Sequence, residues 1–118
     1  MAVKALSYIG VNSDKFEDWS IYSQKYLGMQ KIDYGKDVLS FRMDDQKQRL
    51  TITGDKGDNL GFLGWEVEKK EDLSFFGSKL EKNKIEVHQG KSSFADMRFV
   101  EDLIYFDDPQ GNRIELVY

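Results

Sequence analysis

One pattern occurs twice in this chain, and that repetition constrains the fold more than any local signal. Leu6-Ser7-Tyr8-Ile9-Gly10-Val11 returns as Leu60-Gly61-Phe62-Leu63-Gly64-Trp65, and Glu17-Asp18-Trp19 returns as Glu71-Asp72-Leu73, both shifted by 54 residues (Leu6 to Leu60, Glu17 to Glu71). Gln48-Arg49-Leu50-Thr51-Ile52-Thr53 returns as Asn112-Arg113-Ile114-Glu115-Leu116-Val117 at a shift of 64 (Gln48 to Asn112). The longer second shift places an insertion around 90–99. A repeated unit is the unit that packs, so the repeat outranks any single-segment reading.

Within the first copy, 4–12 alternate as a strand, with Ala5, Ile9 and Val11 on one face and Leu6, Tyr8 and Gly10 on the other. Ser13-Asp14, with Glu17 three residues after Asp14, predicts a capped helix start. Phe16, Trp19, Tyr22 and Tyr26 recur at helical spacing, which predicts a buried aromatic stripe against a sheet, and Gly28 suits a left-handed stop. Three β-like runs follow, at 30–34, 38–43 and 48–53. Gly35-Lys36-Asp37 and Asp44-Asp45-Gln46-Lys47 lie between them as turns, which makes an antiparallel meander. Gly54-Asp55-Lys56-Gly57-Asp58-Asn59 reads as a solvated loop, because its spacing lacks a calcium-ligand pattern. In the second copy, Leu73, Phe76 and Leu80 mark a helix ending near Asn83, and 85–88 begins the next strands.

The expected fold class is therefore α+β: two βαβββ modules, about 1–54 and about 59–118, in a single domain spanning 1–118. The modules form an incomplete, barrel-like curved mixed sheet with helices outside. Composition agrees with a folded chain, since 40% of residues are hydrophobic and 32% charged. A net charge of −4 with no basic cluster argues against a nucleic-acid partner. Apolar runs too short to span a membrane, and the lack of an apolar signal core, give a cytoplasmic reading. The lack of cysteine removes disulfides and thiolate chemistry.

The closing Asp108-Pro109-Gln110-Gly111-Asn112 turn feeds a strand on which Ile114, Leu116 and Tyr118 share one face and Arg113, Glu115 and Val117 the other. Equivalent positions of a duplicated fold face alike, so Glu115 and Thr51, and Phe62 and Tyr8, belong to one shared face. Arg49 and Arg113 are repeat equivalents and are candidate partners for Glu115, or else its carboxylate is solvated; an exposed pair of this kind is worth ~0–1 kcal/mol. His88, the one histidine, falls at a non-equivalent position beside the insertion and reads as a surface residue with no ligand role.

The ending Asp108-Pro109-x-Gly111-Asn112-x-x-Glu115 resembles that of the vicinal oxygen chelate superfamily, which includes glyoxalase I, bleomycin-resistance proteins and type I extradiol dioxygenases. Leu6-x-Tyr8-x-Gly10, Trp19, Leu27-Gly28, Phe41-Arg42-Met43-Asp44, Gln48-Arg49-Leu50 and Gly64-Trp65-Glu66-Val67 are more narrowly similar to the N-terminal domain of extradiol dioxygenases such as 2,3-dihydroxybiphenyl 1,2-dioxygenase. The resemblance covers nearly the whole chain. In catalytic members it implies a concave face with two His and one Glu around a divalent metal. Here the corresponding positions are Tyr8, Phe62 and Glu115, with Thr51 opposite Glu115 in the repeat, so only the carboxylate matches.

The resemblance thus implies the metal-free N-terminal domain of an extradiol, catechol-type ring-cleaving oxidoreductase of aromatic hydrocarbon catabolism. No cofactor is expected in this chain, and Fe(II) only in a missing C-terminal domain that would begin where the chain stops. The chain alone is expected to be inactive, and its partner to be that missing domain or a second copy in a homodimer. The alternative is a stand-alone metal-free protein of the bleomycin-resistance type that holds a flat aromatic small molecule. A metal-dependent lyase or isomerase of the glyoxalase type needs ligands that the chain lacks.

Overall fold

A computed structural model describes residues 2–33, 38–45, 48–54 and 57–118. The chain divides into two compact units, Tyr8–Gly61 and a second made of Met1–Ser7 with Phe62–Tyr118. Strand β1 (Val3–Asn12) and strand β5 (Asn59–Val67) each contribute residues to both.

In the first unit, β1 leads to helix α1 (Phe16–Ile21), which continues as a π-helical turn (Tyr22–Tyr26), and then to β2 (Gln30–Asp33), β3 (Val38–Arg42) and β4 (Leu50–Thr53). The strand order is β2-β3-β4-β1, with β2/β3 and β3/β4 antiparallel and β4 parallel to β1. In the second unit, β5 is followed by α2 (Lys70–Lys82), β6 (His88–Gln89), α3 (Ser92–Arg98), β7 (Leu103–Asp107) and β8 (Arg113–Val117). Its order is β6-β7-β8-β5, again antiparallel until the last, parallel pair.

Each unit is thus the same βαβββ arrangement with a mixed sheet, and the register repeats as well as the order. Gly10 pairs with Thr51 in the first unit and Gly64 with Glu115 in the second, at repeat-equivalent positions. Short loops permit the antiparallel neighbours, while the parallel pair needs the helix and further strands between its members. The α+β class and the duplication are as expected, and the insertion around 90–99 contains α3.

Several local expectations are corrected. Helix α1 begins at Phe16 without the Asp14/Glu17 capping box: Ser13 Oγ instead accepts from Lys15 N at 3.2 Å, a turn that delays helix entry. The aromatic stripe is buried only in part, with Phe16 and Trp19 half-buried. Ser23 is the helical residue that is fully enclosed, whereas Tyr22 and Tyr26 are exposed. The widened π turn rotates the following residues away from a regular helical face, so 3.6-residue spacing misplaces Tyr26. Gly28 does adopt the left-handed stop, at φ +69°. Strands β3 and β4 are shorter than the β-like runs, and β6 starts only at His88. Tyr34, the turn Gly35-Lys36-Asp37, Gln46-Lys47 of the next turn and Asp55-Lys56 of the loop lie outside the described residues.

The core of the second unit is built on Val67, Leu73, Ile104 and Leu116, with Trp65, Phe76, Val87 and Phe106 packed against it. It sits between α2 and one face of the sheet, which leaves the opposite face of β8 to Arg113 and Glu115. Strand β8 is held in register by the turn before it. Asp108 Oδ1 accepts from Gln110 N (2.9 Å) and Asn112 N (2.8 Å), its Oδ2 accepts from Asn112 Nδ2 (3.1 Å), and Gly111 takes φ +83°. Replacing Gly111 with Ala should cost about 1 kcal/mol in chemical denaturation, because a Cβ is strained in the left-handed region.

The hydrogen bond from the Asn112 backbone, joined by its side chain and by the Gln110 and Gly111 amides, holds the Asp108 carboxyl below its ordinary value of 3.8. Since the folded value is the lower one, this contribution to stability is present above pH 3.8 and is lost as pH falls below it. Asp108→Asn should accordingly flatten the acid limb of the stability curve in a pH series of thermal melts.

Candidate functional site

The four positions singled out by the repeat lie on β1, β4, β5 and β8, and all four are buried. In the first unit, Tyr8 on β1 and Thr51 on β4 are each 2% exposed. Thr51 Oγ1 donates to Gln48 Oε1 (3.1 Å), and Ser40 Oγ also donates to Gln48 Oε1 (3.2 Å) and lies 3.3 Å from the Thr51 hydroxyl. Ser40 is opposite Thr51 in the β3/β4 register, so strand pairing itself assembles this neutral triad. Buried hydroxyls and amides of this kind must find one another, because unpaired they lose their hydration without compensation.

In the second unit, Phe62 on β5 is 6% exposed and Glu115 on β8 is fully buried. An isolated carboxylate in that position would be untenable, and it is neutralised by two guanidinium groups. Arg98 engages it in two-point fashion, Nε to Oε1 at 2.9 Å and Nη2 to Oε2 at 3.2 Å, and Arg113 Nε reaches Oε2 at 3.0 Å. Arg113 arrives by strand geometry, two residues before Glu115 on the same face. Arg98 arrives from the last residue of α3, the element that the first unit lacks.

Both guanidiniums are also stacked. Arg98 lies 3.8 Å from the centre of the Phe62 ring and 4.6 Å from that of Phe94, and Arg113 lies 3.8 Å from Tyr105 and 5.0 Å from Phe94. Phe94 and Arg98 are four residues apart on α3, on one side of the helix, so one helical turn delivers both the ring and the charge. Tyr105 continues the stack to Phe94 on one side and to His88 on the other, at centroid distances of 6.0 and 5.0 Å. Flat, weakly hydrated guanidiniums suit such a slot; an ammonium would not.

The expectation for Glu115 is corrected in part. Arg113 is indeed its partner, but Arg49 forms its ion pair with Asp44, at 2.8 Å. The pair is not at the surface either: side-chain exposure is 0% for Glu115 and 10% for Arg98. The surface value near zero therefore does not apply to it. Arg98 was not foreseen. Its signal was the Phe94-x-x-x-Arg98 spacing in the insertion, which has no repeat equivalent against which to read it. His88 is half-exposed, stacked on Tyr105 and 3.6 Å from Glu86, away from any carboxylate cluster.

These positions do not fit a divalent metal. Both Glu115 oxygens are engaged by guanidiniums, Phe62 offers no lone pair and carries a cation on its ring face, and the Thr51 hydroxyl is committed to Gln48. Among the described residues, no group of three or more His, Asp or Glu is placed to hold a metal ion. The arginines give Glu115 the positive neighbour that a metal would give it, without open coordination positions. Also among the described residues, no helix is long and apolar enough to cross a membrane.

The chain is similar to known proteins over nearly all its length. Residues 6–54 match the family model described as "Dihydroxybiphenyl dioxygenase BphC D1". An iron-dependent extradiol dioxygenase of Rhodococcus jostii (strain RHA1) is 32% identical, over 98% of this chain and 39% of its own length. A biphenyl-2,3-diol 1,2-dioxygenase of Sphingomonas paucimobilis is 30% identical, over 100% of this chain and 40% of its own. Among solved structures, a catechol 2,3-dioxygenase superposes with a TM-score of 0.94 at 29% identity, covering 100% of this chain and 42% of that one. The chain thus spans about 40% of the length of the curated relatives it matches.

Truncating Arg98 strips the buried Glu115 of its two-point partner. Arg98→Ala should destabilise the fold by about 3–5 kcal/mol in denaturant unfolding, the range for removing one partner of a buried ion pair. Arg98→Lys should recover little of this, since an ammonium cannot both chelate the carboxylate and stack on Phe62 and Phe94.

Proposed function

We propose that this chain corresponds to the metal-free N-terminal domain of a type I extradiol, catechol-type ring-cleaving dioxygenase. It would serve as a single structural domain over 1–118, with scaffold and assembly roles in the cytoplasm. Similarity along the whole chain to about 40% of such enzymes supports the reading. The single observation that carries it is the Glu115 position. The carboxylate that resembles the superfamily's metal ligand is bound by Arg98 and Arg113 and is flanked by Phe62, so the residue is retained in a structural role. Iron would then belong to a C-terminal domain, and the partner would be that domain, a second copy, or both.

A second reading is favoured by one feature of the second unit. Trp65, Phe76, Leu80, Phe106 and Ile114 line an apolar groove of about 590 Å³. Its size and aromatic walls suit a flat aromatic small molecule, as a metal-free binding protein of the bleomycin-resistance type would need.

Two measurements decide between these readings. Anaerobic titration with ferrous iron should give no stoichiometric complex, and the iron-treated chain should leave catechol intact in air. Tight one-to-one iron binding by this chain would overturn the metal-free assignment. A thermal-shift series with naphthalene-class probes should show no stabilisation if the domain is a scaffold. A shift that grows with probe concentration, and is abolished by Phe106→Asp, would favour the binding protein.

A further inference from the structure

Helix α3 and its flanks are joined to the sheet differently at the ends and along the length. At the ends the bonds run from backbone to backbone: Gly90 N donates to Leu103 O (3.0 Å) and Glu101 N to Tyr118 O (2.8 Å). Gly90 is clamped there, since a Cβ on it would fall 2.7 Å from Leu103 Cγ. In between, Ala95 N and Val100 N donate within the segment itself, to Lys91 O and Ala95 O at 3.0 Å each. Along its length, side chains fasten the helix. Ala95 is its fully enclosed residue, Phe94 and Arg98 are half-buried, and Asp96 and Met97 are exposed.

Seven residues are too few to hold a helix in water without packing, a length of roughly 12–15 being marginal. The fold of α3 therefore depends on its contacts with the sheet. Phe94, Ala95 and Arg98 lie on one side of its two turns, so the ring, the methyl and the guanidinium arrive and leave together. Among these contacts the Arg98–Glu115 pair is the strongest: its side chains are 10% and 0% exposed, and burial strengthens a charge-assisted hydrogen bond. Against it stands the next residue. Phe99 holds φ +56°, a left-handed conformation that is strained for a bulky side chain and that relaxes if the helix lets go.

We propose that α3 is a latched lid: it opens as one unit between Gly90 and Glu101 while the sheet stays folded, and the Arg98–Glu115 pair is its latch. Opening uncovers Glu115, Arg113 and the Phe62 ring, a charged and aromatic patch that the closed lid seals from water. Arg113 stays on the strand with its Nε at Glu115 Oε2, so the carboxylate keeps a cation when Arg98 leaves. The first unit has neither the insertion nor the charge, so the device is confined to the second unit and does not rest on the domain assignment above.

Native-state hydrogen exchange, read by mass spectrometry at denaturant concentrations well below the unfolding midpoint, tests the lid. The amides of 95–100 should exchange about tenfold or more faster than those of β7 and β8. Denaturant should leave their rate nearly unchanged, because a local opening exposes little surface. Glu115→Gln, which keeps the side chain's size and removes its charge, should speed exchange in 95–100 by about a further tenfold while α2 keeps its protection. Phe62→Leu, which leaves an apolar side chain under Arg98 without a ring face, should act in the same direction by about threefold and serves if Glu115→Gln does not fold. Exchange of α3 with the same denaturant dependence as β7 and β8 would overturn the lid, since the helix then lets go only when the sheet unfolds. Local opening left unchanged by these substitutions would overturn the Arg98–Glu115 pair as its latch.

Discussion

The second unit depends on one buried charge. Glu115 sits on β8 with none of its side chain in contact with solvent, and that is possible because two guanidiniums approach it from different directions. Burial raises the strength of each charge-assisted hydrogen bond and also the penalty if one is missing. The surrounding elements are consequently tied to the carboxylate: β8 through Arg113, α3 through Arg98, and β5, β7 and α3 again through the Phe62, Tyr105 and Phe94 rings on which the guanidiniums stack.

The two units solve the same problem differently. At the position equivalent to Glu115 the first unit has Thr51, and its neighbours Ser40 and Gln48 make a neutral buried triad. No extra helix is needed there, because none of the three carries a charge and the two hydroxyls find the Gln48 side-chain oxygen within the strands and the adjoining loop. A carboxylate cannot be satisfied so locally, and the second unit inserts α3 to bring the charge in. The insertion that breaks the repeat is thus the physical counterpart of the charge that distinguishes its closing strand.

Much of this architecture was legible in the sequence because the repeat encodes it. The βαβββ modules, the mixed sheet and the equivalence of Thr51 with Glu115 follow from duplicated strands whose side chains alternate with a period of two, whereas the strand order and the Gly10/Thr51 and Gly64/Glu115 pairings come from the folded sheet. The pairing of Arg113 with Glu115 follows from the same alternation. Where the period was not regular, the reading failed. The π turn at Tyr22–Tyr26 shifts its residues off the 3.6-residue face and leaves the rings outside, and the Ser13 turn replaces the expected capping box.

By itself, then, the sequence determined the duplicated α+β plan and which residues share each face of its closing strand, Glu115 with Arg113 among them. Those properties depend on local periodicity and on comparison of one half with the other. Tertiary structure alone decided that Glu115 is sealed from solvent and that Arg98, from an insertion without a counterpart, completes its neutralisation. Contact across a gap of seventeen residues is set by how α3 folds back on the sheet, and no spacing rule reaches that far.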